Sequence, residues 1–129
     1  MIQAKVPAGN MYRTAGGAGD VSGVAVSGTT TYYSDITDVS SILNPSYHLE
    51  WTGTPTGTFT IQGSNKENPN PASDADWFTP TLAVAIVQPA GTASKDFVDL
   101  TGWPFRKVRL KYVNASGSGV IHAHVAGKP

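Results

Sequence analysis

The chain predicts an all-β fold, an antiparallel sandwich or jelly roll with a Gly-rich N-terminal arm, and three observations carry that expectation. Phe59-Thr60-Ile61-Gln62 and, much later, Phe105-Arg106-Lys107-Val108-Arg109-Leu110-Lys111-Tyr112 alternate apolar with polar residues, as a strand with one buried face does. Turn signals built from Gly, Pro and Asn recur about every 8–12 residues, the spacing of short sandwich strands. No stretch keeps a helical period for longer than a turn or two.

The elements follow in order. Residues 1–20 are short of bulky apolar groups and include Ala15-Gly16-Gly17-Ala18-Gly19-Asp20. They have little to bury against the entropy of ordering and form an arm, flexible alone or ordered on a neighbour through Met11, Tyr12 and Arg13. Residues 21–129 form the sandwich domain. Val21 to Tyr33, rich in Val and Thr, gives one or two strands joined near Ser27-Gly28. Asp35–Val39 is a short strand or turn, and Asn44-Pro45 is a turn signal.

Tyr47, Leu49 and Trp51 share one face of the next strand. Gly53 to Gly57, centred on Pro55, makes a hairpin-like connection to a strand on which Phe59 and Ile61 face inward. Gly63 to Asp76 holds two prolines, three asparagines and almost nothing apolar, and reads as a long surface loop closed by Trp77-Phe78. Thr81–Val87 reads as a strand with Leu82, Val84 and Ile86 inward, turned by Pro89-Ala90-Gly91. Ser94–Leu100 carries Phe97. Trp103-Pro104 leads into the basic strand, with Val108, Leu110 and Tyr112 toward the core and Lys107, Arg109 and Lys111 outward. Asn114–Gly119 turns into a last strand, Val120–Val125.

Length and composition bound the function. A chain of 129 residues makes one domain that buries roughly two-thirds of the surface its unfolded form exposes. Only 14% of its residues are charged, nine basic against nine acidic, where about a quarter is usual. So little charge points to a surface partly covered by partners. The even balance argues against a nucleic-acid binder, which needs a basic excess. Without cysteine there is neither a disulfide framework nor a thiolate metal site. The opening Met1–Pro7 has no apolar h-region, and no run approaches the ~18 residues of a membrane span. A chain complete as written is made and folded in a cytoplasm and has no membrane partner.

Reactive chemistry is sought and not found. His122 and His124, two apart on a strand, project from one face and with His48 offer three ligand atoms. No Asp or Glu cluster stands near them in sequence, so they read as solvent- or interface-facing, with no metal expected. The loop 64–76 has many oxygen donors but lacks the spaced acids and central glycine of an EF-hand calcium loop. No Gly-x-Ser-x-Gly elbow occurs, no paired carboxylates mark a glycosidase cleft, and the Gly-rich arm lacks the Lys-Ser/Thr ending of a phosphate loop. No catalytic residue, no cofactor and no enzyme activity are expected. What remains is the basic strip Arg106, Lys107, Arg109 and Lys111, read either as edge protection or as a docking surface for an acidic protein.

The order Gly57-Thr58-Phe59-Thr60-Ile61-Gln62-Gly63-Ser64-Asn65, then Trp77, then Phe105–Tyr112, then Gly117-Ser118-Gly119 and a strand ending in Gly127-Lys128 resembles small β-sandwich proteins among the structural genes of tailed bacteriophages. It is also similar to discoidin-like, galactose-binding-like jelly rolls, although no cysteine pair closes a barrel here. The phage resemblance implies a virion component made in the host cytoplasm. It implies a head decoration (cement) protein on the capsid surface that clamps the major capsid protein and self-associates as a dimer or trimer. The alternatives are a carbohydrate-binding jelly-roll module on a virion or cell surface, which needs Trp51, Trp77 or Trp103 exposed, and a tail or neck adaptor.

Overall fold

A computed structural model describes residues 12–14, 23–42 and 44–126, the side chains of 12–14 and 126 excepted. Nine strands run in chain order: β1 (Tyr12–Thr14), β2 (Val24–Ser27), β3 (Thr30–Ser34), β4 (Thr37–Asp38), β5 (Ser46–Gly53), β6 (Thr56–Ser64), β7 (Ser94–Asp99), β8 (Lys107–Ser116) and β9 (Ser118–Ala126). All pairings are antiparallel, and the described residues contain no helix. One sheet has β8 at its centre, with β6 along one side and β3 and β4 sharing the other, β1 lying outside β3. The second sheet runs β2-β9-β5-β7.

One long ribbon builds both sheets. β5 and β6 run against β9 and β8 in a single register, from Ser46 opposite Ala126 through Gly53 opposite Gly119 to Thr56 opposite Ser116. A bulge at Thr56/Gly57 shifts the register once before Ser64 meets Lys107. The ribbon folds over between Gly53 and Thr56 on one side and at Gly117 on the other, so each half joins a different sheet. The expected hairpin at Gly53–Gly57 is therefore a corner: β5 and β6 are consecutive but do not pair. Gly117 makes the fold-over possible. Its φ is +73°, and a Cβ there would collide with Thr54 O, so any side chain is both strained and excluded. Buried Asn114 braces the same corner, donating to Gly28 O at 2.8 Å and Gly117 O at 3.0 Å while accepting from Tyr112 Oη at 2.8 Å.

The alternating residues meet between the sheets as expected. Tyr47, Leu49, Trp51, Val98, Ile121, Ala123 and Val125 face Tyr32, Phe59, Ile61, Val108, Leu110 and Tyr112, all buried. Phe59 joins the layers, its ring centre 5.5 Å from that of Trp51 and 4.8 Å from that of Tyr112. Side chains of this size each contribute about 2–3 kcal/mol on burial.

Thr81–Val87 is not a strand. Leu82 and Ile86 pack on the core, but Val84 is 80% exposed rather than inward. The segment crosses the open side of the sandwich between the edges of β6 and β7. Gln88, just beyond it, occupies the β6 edge with its side chain: Oε1 accepts from Phe59 N at 2.6 Å, and Nε2 donates to Phe59 O at 3.1 Å. A side-chain amide thus takes the place of the strand the alternation suggested. Pro89 O then accepts from Gly57 N, and Thr56 bridges Ala90.

Three residues of the N-terminal segment, Tyr12–Thr14, pair with Ser34, Tyr33 and Tyr32, so part of the expected arm is an edge strand of this sheet. Met11 and the rest of residues 1–11 and 15–22 lie outside the described residues.

Candidate partner-binding surface

The basic strip does not reach the surface as one unit. Alternation does turn Lys107, Arg109 and Lys111 away from the core, but loop 65–78 folds back over that face of the β8 sheet. Arg109, expected outward, has no exposed surface. Its guanidinium lies between two aromatic rings, Cζ 4.1 Å from the centre of Tyr33 and 4.2 Å from that of Trp77. Nε donates to Gln62 Oε1 at 2.8 Å, Nη1 to Asn70 O at 3.0 Å and Nη2 to Ser73 O at 2.6 Å, with Asp74 Oδ1 3.6 Å from Nη2. Burial draws its pKa down to about 10, against the pull of Tyr33 and Asp74, so the group keeps its charge at neutral pH. A planar fork with five donors suits two loop carbonyls and an amide at once. Arg109 is the clasp of the loop, not a docking residue.

Its neighbours are partly drawn into the same network. Lys111 Nζ reaches Asp74 Oδ2 at 2.6 Å, and Lys107 Nζ reaches Asp38 Oδ2 at 3.4 Å; the two lysine side chains are 20% and 13% exposed. Arg106 is exposed, its backbone N–H held by Asn65 Oδ1 at 2.8 Å. Asp74 collects Lys111, Gln62 Nε2 at 3.0 Å and Tyr33 Oη at 3.4 Å. Its pKa falls below the ordinary carboxylate value, first through the Lys111 hydrogen bond, with Gln62 and Arg109 adding to it against some desolvation. At the loop's far side Lys66 Nζ bonds Asp76 Oδ1 at 2.6 Å, and Asp76 Oδ2 accepts from Asn70 N at 2.9 Å. Of the arm residues named from the sequence, Tyr12 and Arg13 lie on β1, and Met11 lies outside the described residues.

The outer face of the second sheet is different. His48 and Glu50 on β5 stand opposite His124 and His122 on β9, and Phe97 and Lys95 on β7 stand opposite His48 and Glu50. His48, Glu50, Thr52, Lys95 and Phe97 are exposed, while His122 and His124 are half-buried. His48 Nε2 lies 2.8 Å from Glu50 Oε1, and the His48 and His124 rings meet edge-on at 6.1 Å. That bond to His48 is the largest cause of the lowered Glu50 pKa. The three histidines therefore converge with one carboxylate on an open sheet face rather than in a pocket. Among the described residues no group of three or more His, Cys, Asp or Glu is arranged to hold a metal ion.

Two of the three tryptophans are inside. Trp51 is core, its Nε1 donating to Thr92 O at 2.9 Å, and Trp77 lies on Arg109 with Nε1 donating to Asn70 O at 2.7 Å. Trp103 is half-buried against Phe105.

Sequence reasoning missed the partners of Arg109. Two signals could have found them. Tyr33 sits at an outward position of its strand, and Trp77 closes a polar loop with no core of its own; both rings need cover, and the outward arginine between them supplies it. No protein-family model matches this sequence, and a search of curated proteins finds no relative.

Proposed function

We propose that this chain is a non-enzymatic virion structural protein, a capsid decoration (cement) protein that binds the outer surface of the major capsid protein shell and stabilises it. The observation that carries this reading is the inequality of the two outer faces. One sheet is closed by the chain's own loop through Arg109, whereas the other leaves Phe97 65% exposed among charged and imidazole groups. An exposed apolar group within a polar rim on a flat sheet is the anatomy of a protein-binding patch. The low charge content and the resemblance in motif order to small phage sandwiches support the same reading. The open His48–Glu50–Phe97 face and Arg106 are the surfaces offered to the shell.

Copy number on the particle is the test. In particles from the source that encodes this chain, a cryo-EM reconstruction should show the sandwich at many equivalent shell positions with its β5–β9 face inward. A handful of copies at the neck or tail replaces decoration with an adaptor role. Absence from purified particles overturns both.

A further inference from the structure

The β7 edge carries a second surface. Among the described residues β7 pairs with β5 on one side only and forms the edge of its sheet. Beside its outer edge runs a groove of about 230 Å³ between Asp96–Asp99 and the irregular segment Ala83–Ala85. The exposed apolar side chains on this flank are Val84 at 80%, Val87 at 52% and Phe97 at 65%. Val87 is tied to the strand, its N–H donating to Asp96 Oδ2 at 2.9 Å. A strand edge of this kind beside apolar side chains is a template for another strand.

We propose that this edge pairs with the same edge of a second copy, two β7 strands running antiparallel about a two-fold axis at Phe97. The charges choose both occupant and register. Two strands related by such an axis must set one residue opposite itself, because directly opposed residues share a face. Centring on Lys95, Asp96 or Asp99 opposes like charges, and centring on Val98 places Phe97 against Asp99. Centring on Phe97 stacks the two phenyl rings and sets Lys95 opposite Asp99 of the copy, twice. A chain without net charge adds no general repulsion between copies. Edge charges usually block pairing; here they block every self-register but one.

The result joins two four-stranded sheets into one continuous sheet with a single open face, and a dimer seated on a symmetric shell gains avidity from it. This inference rests on the self-association expected of the protein and not on the identity of the shell. Its test uses no particles, so it can fail while the capsid reading stands.

The experiment is analytical ultracentrifugation of the full chain, wild type and charge variants, at concentrations from low to high micromolar. Wild type should dimerise. Lys95→Glu alone and Asp99→Lys alone should each raise the dimer Kd by about ten- to hundredfold, because each replaces two opposite-charge contacts with two like-charge ones. Mixing the two variants should restore a heterodimer. The introduced glutamate of one copy then faces the introduced lysine of the other, and the unaltered Asp99 faces the unaltered Lys95. Asp99 also caps a turn, accepting from Thr101 N at 2.9 Å. If Asp99→Lys does not fold, Lys95→Glu and Phe97→Glu, both at exposed positions, carry the test against wild type. A monomeric wild type, or an oligomer that tolerates Lys95→Glu and Phe97→Glu, overturns the proposal.

Discussion

The Trp77 indole lies against the Arg109 guanidinium, 4.2 Å from Cζ to ring centre, with Tyr33 on the opposite side at 4.1 Å. A strand residue thereby holds down a loop that has no strand of its own to pair with. The loop in return takes a charged group out of water and gives it two carbonyls and a ring. Neither is stable without the other. Removing the cation leaves Asn70 O, Ser73 O and Gln62 Oε1 short of a donor in a dry site, and unpairing groups of this kind is costly.

Arg109→Ala should therefore lower the unfolding free energy by about 3–5 kcal/mol, read from urea denaturation followed by circular dichroism. Loop 65–78 should become the first site of cleavage in limited proteolysis. Arg109→Lys keeps the charge but loses the fork and the stacking plane, so it should fall between the two. Equal resistance of wild type and Arg109→Ala to protease would remove the clasp.

Acid should open the same loop. The folded pKa of Asp74 lies below its ordinary value because Lys111, Gln62 and Arg109 favour the carboxylate. Such a group stabilises the fold above its unfolded pKa, near 4, and that contribution fades as pH falls through the folded value. Asp38, held down to about 2 chiefly by hydrogen bonds from Ser40 and aided by Lys107, is lost in the same direction. The indole N–H resonance of Trp77, bonded to Asn70 O, should hold its shift from neutral pH to about pH 4 and move below it. Asp74→Asn should flatten that acid transition. An indole shift that first changes near pH 6 would point to the histidines instead.

What the sequence disclosed and what it hid divide along physical lines. Tyr47, Leu49, Trp51, Phe59, Ile61, Val108, Leu110 and Tyr112 are legible because a period of two on a buried face has one solution, and all are inside. The surface of the β8 sheet is not legible in that way. Alternation says which side chains leave the core, but not whether something else covers them, and Arg109 turns on that distinction. The same limit applies at Gly53–Gly57. Two strands joined by a short turn pair as a hairpin or fold into separate sheets depending on where their partners lie, and β8 and β9 lie far along the chain.

Thr81–Val87 shows how a real apolar period can serve something other than a strand. Leu82 and Ile86 are buried against the core, while Val84 stands out at 80% exposure, so the spacing of two large anchors is what the sandwich flank uses. Leu82→Ala and Ile86→Ala should each cost about 1–3 kcal/mol, below the range for fully buried residues because both are only half-buried. Val84→Ser should change stability by about 0.5 kcal/mol or less. Thermal unfolding of dilute, monomeric samples checks all three. A loss for Val84→Ser as large as that for Leu82→Ala would mean the valine is packed and the flank is differently ordered.

The ribbon's corner gives a prediction that separates strain from collision. Gly28 has φ +61° with nothing within 4 Å of where a Cβ would stand, whereas Gly117 has φ +73° and Thr54 O directly in the way. Gly28→Ala should cost about 1–2 kcal/mol, the penalty of a left-handed backbone for a residue with a Cβ. Gly117→Ala carries the same penalty plus the displacement of Thr54, and with it the bond Thr54 N makes to Ser118 O at 2.9 Å and the brace from Asn114. Its cost should exceed that of Gly28→Ala by about 2 kcal/mol or more, read as a wider gap between urea midpoints. Because the displaced backbone lies where one register passes from sheet to sheet, hydrogen exchange in Gly117→Ala should accelerate at the facing ends of β5, β6, β8 and β9 together. Acceleration confined to residues 116–118 would mean the corner bends locally and the two sheets hold their register without it.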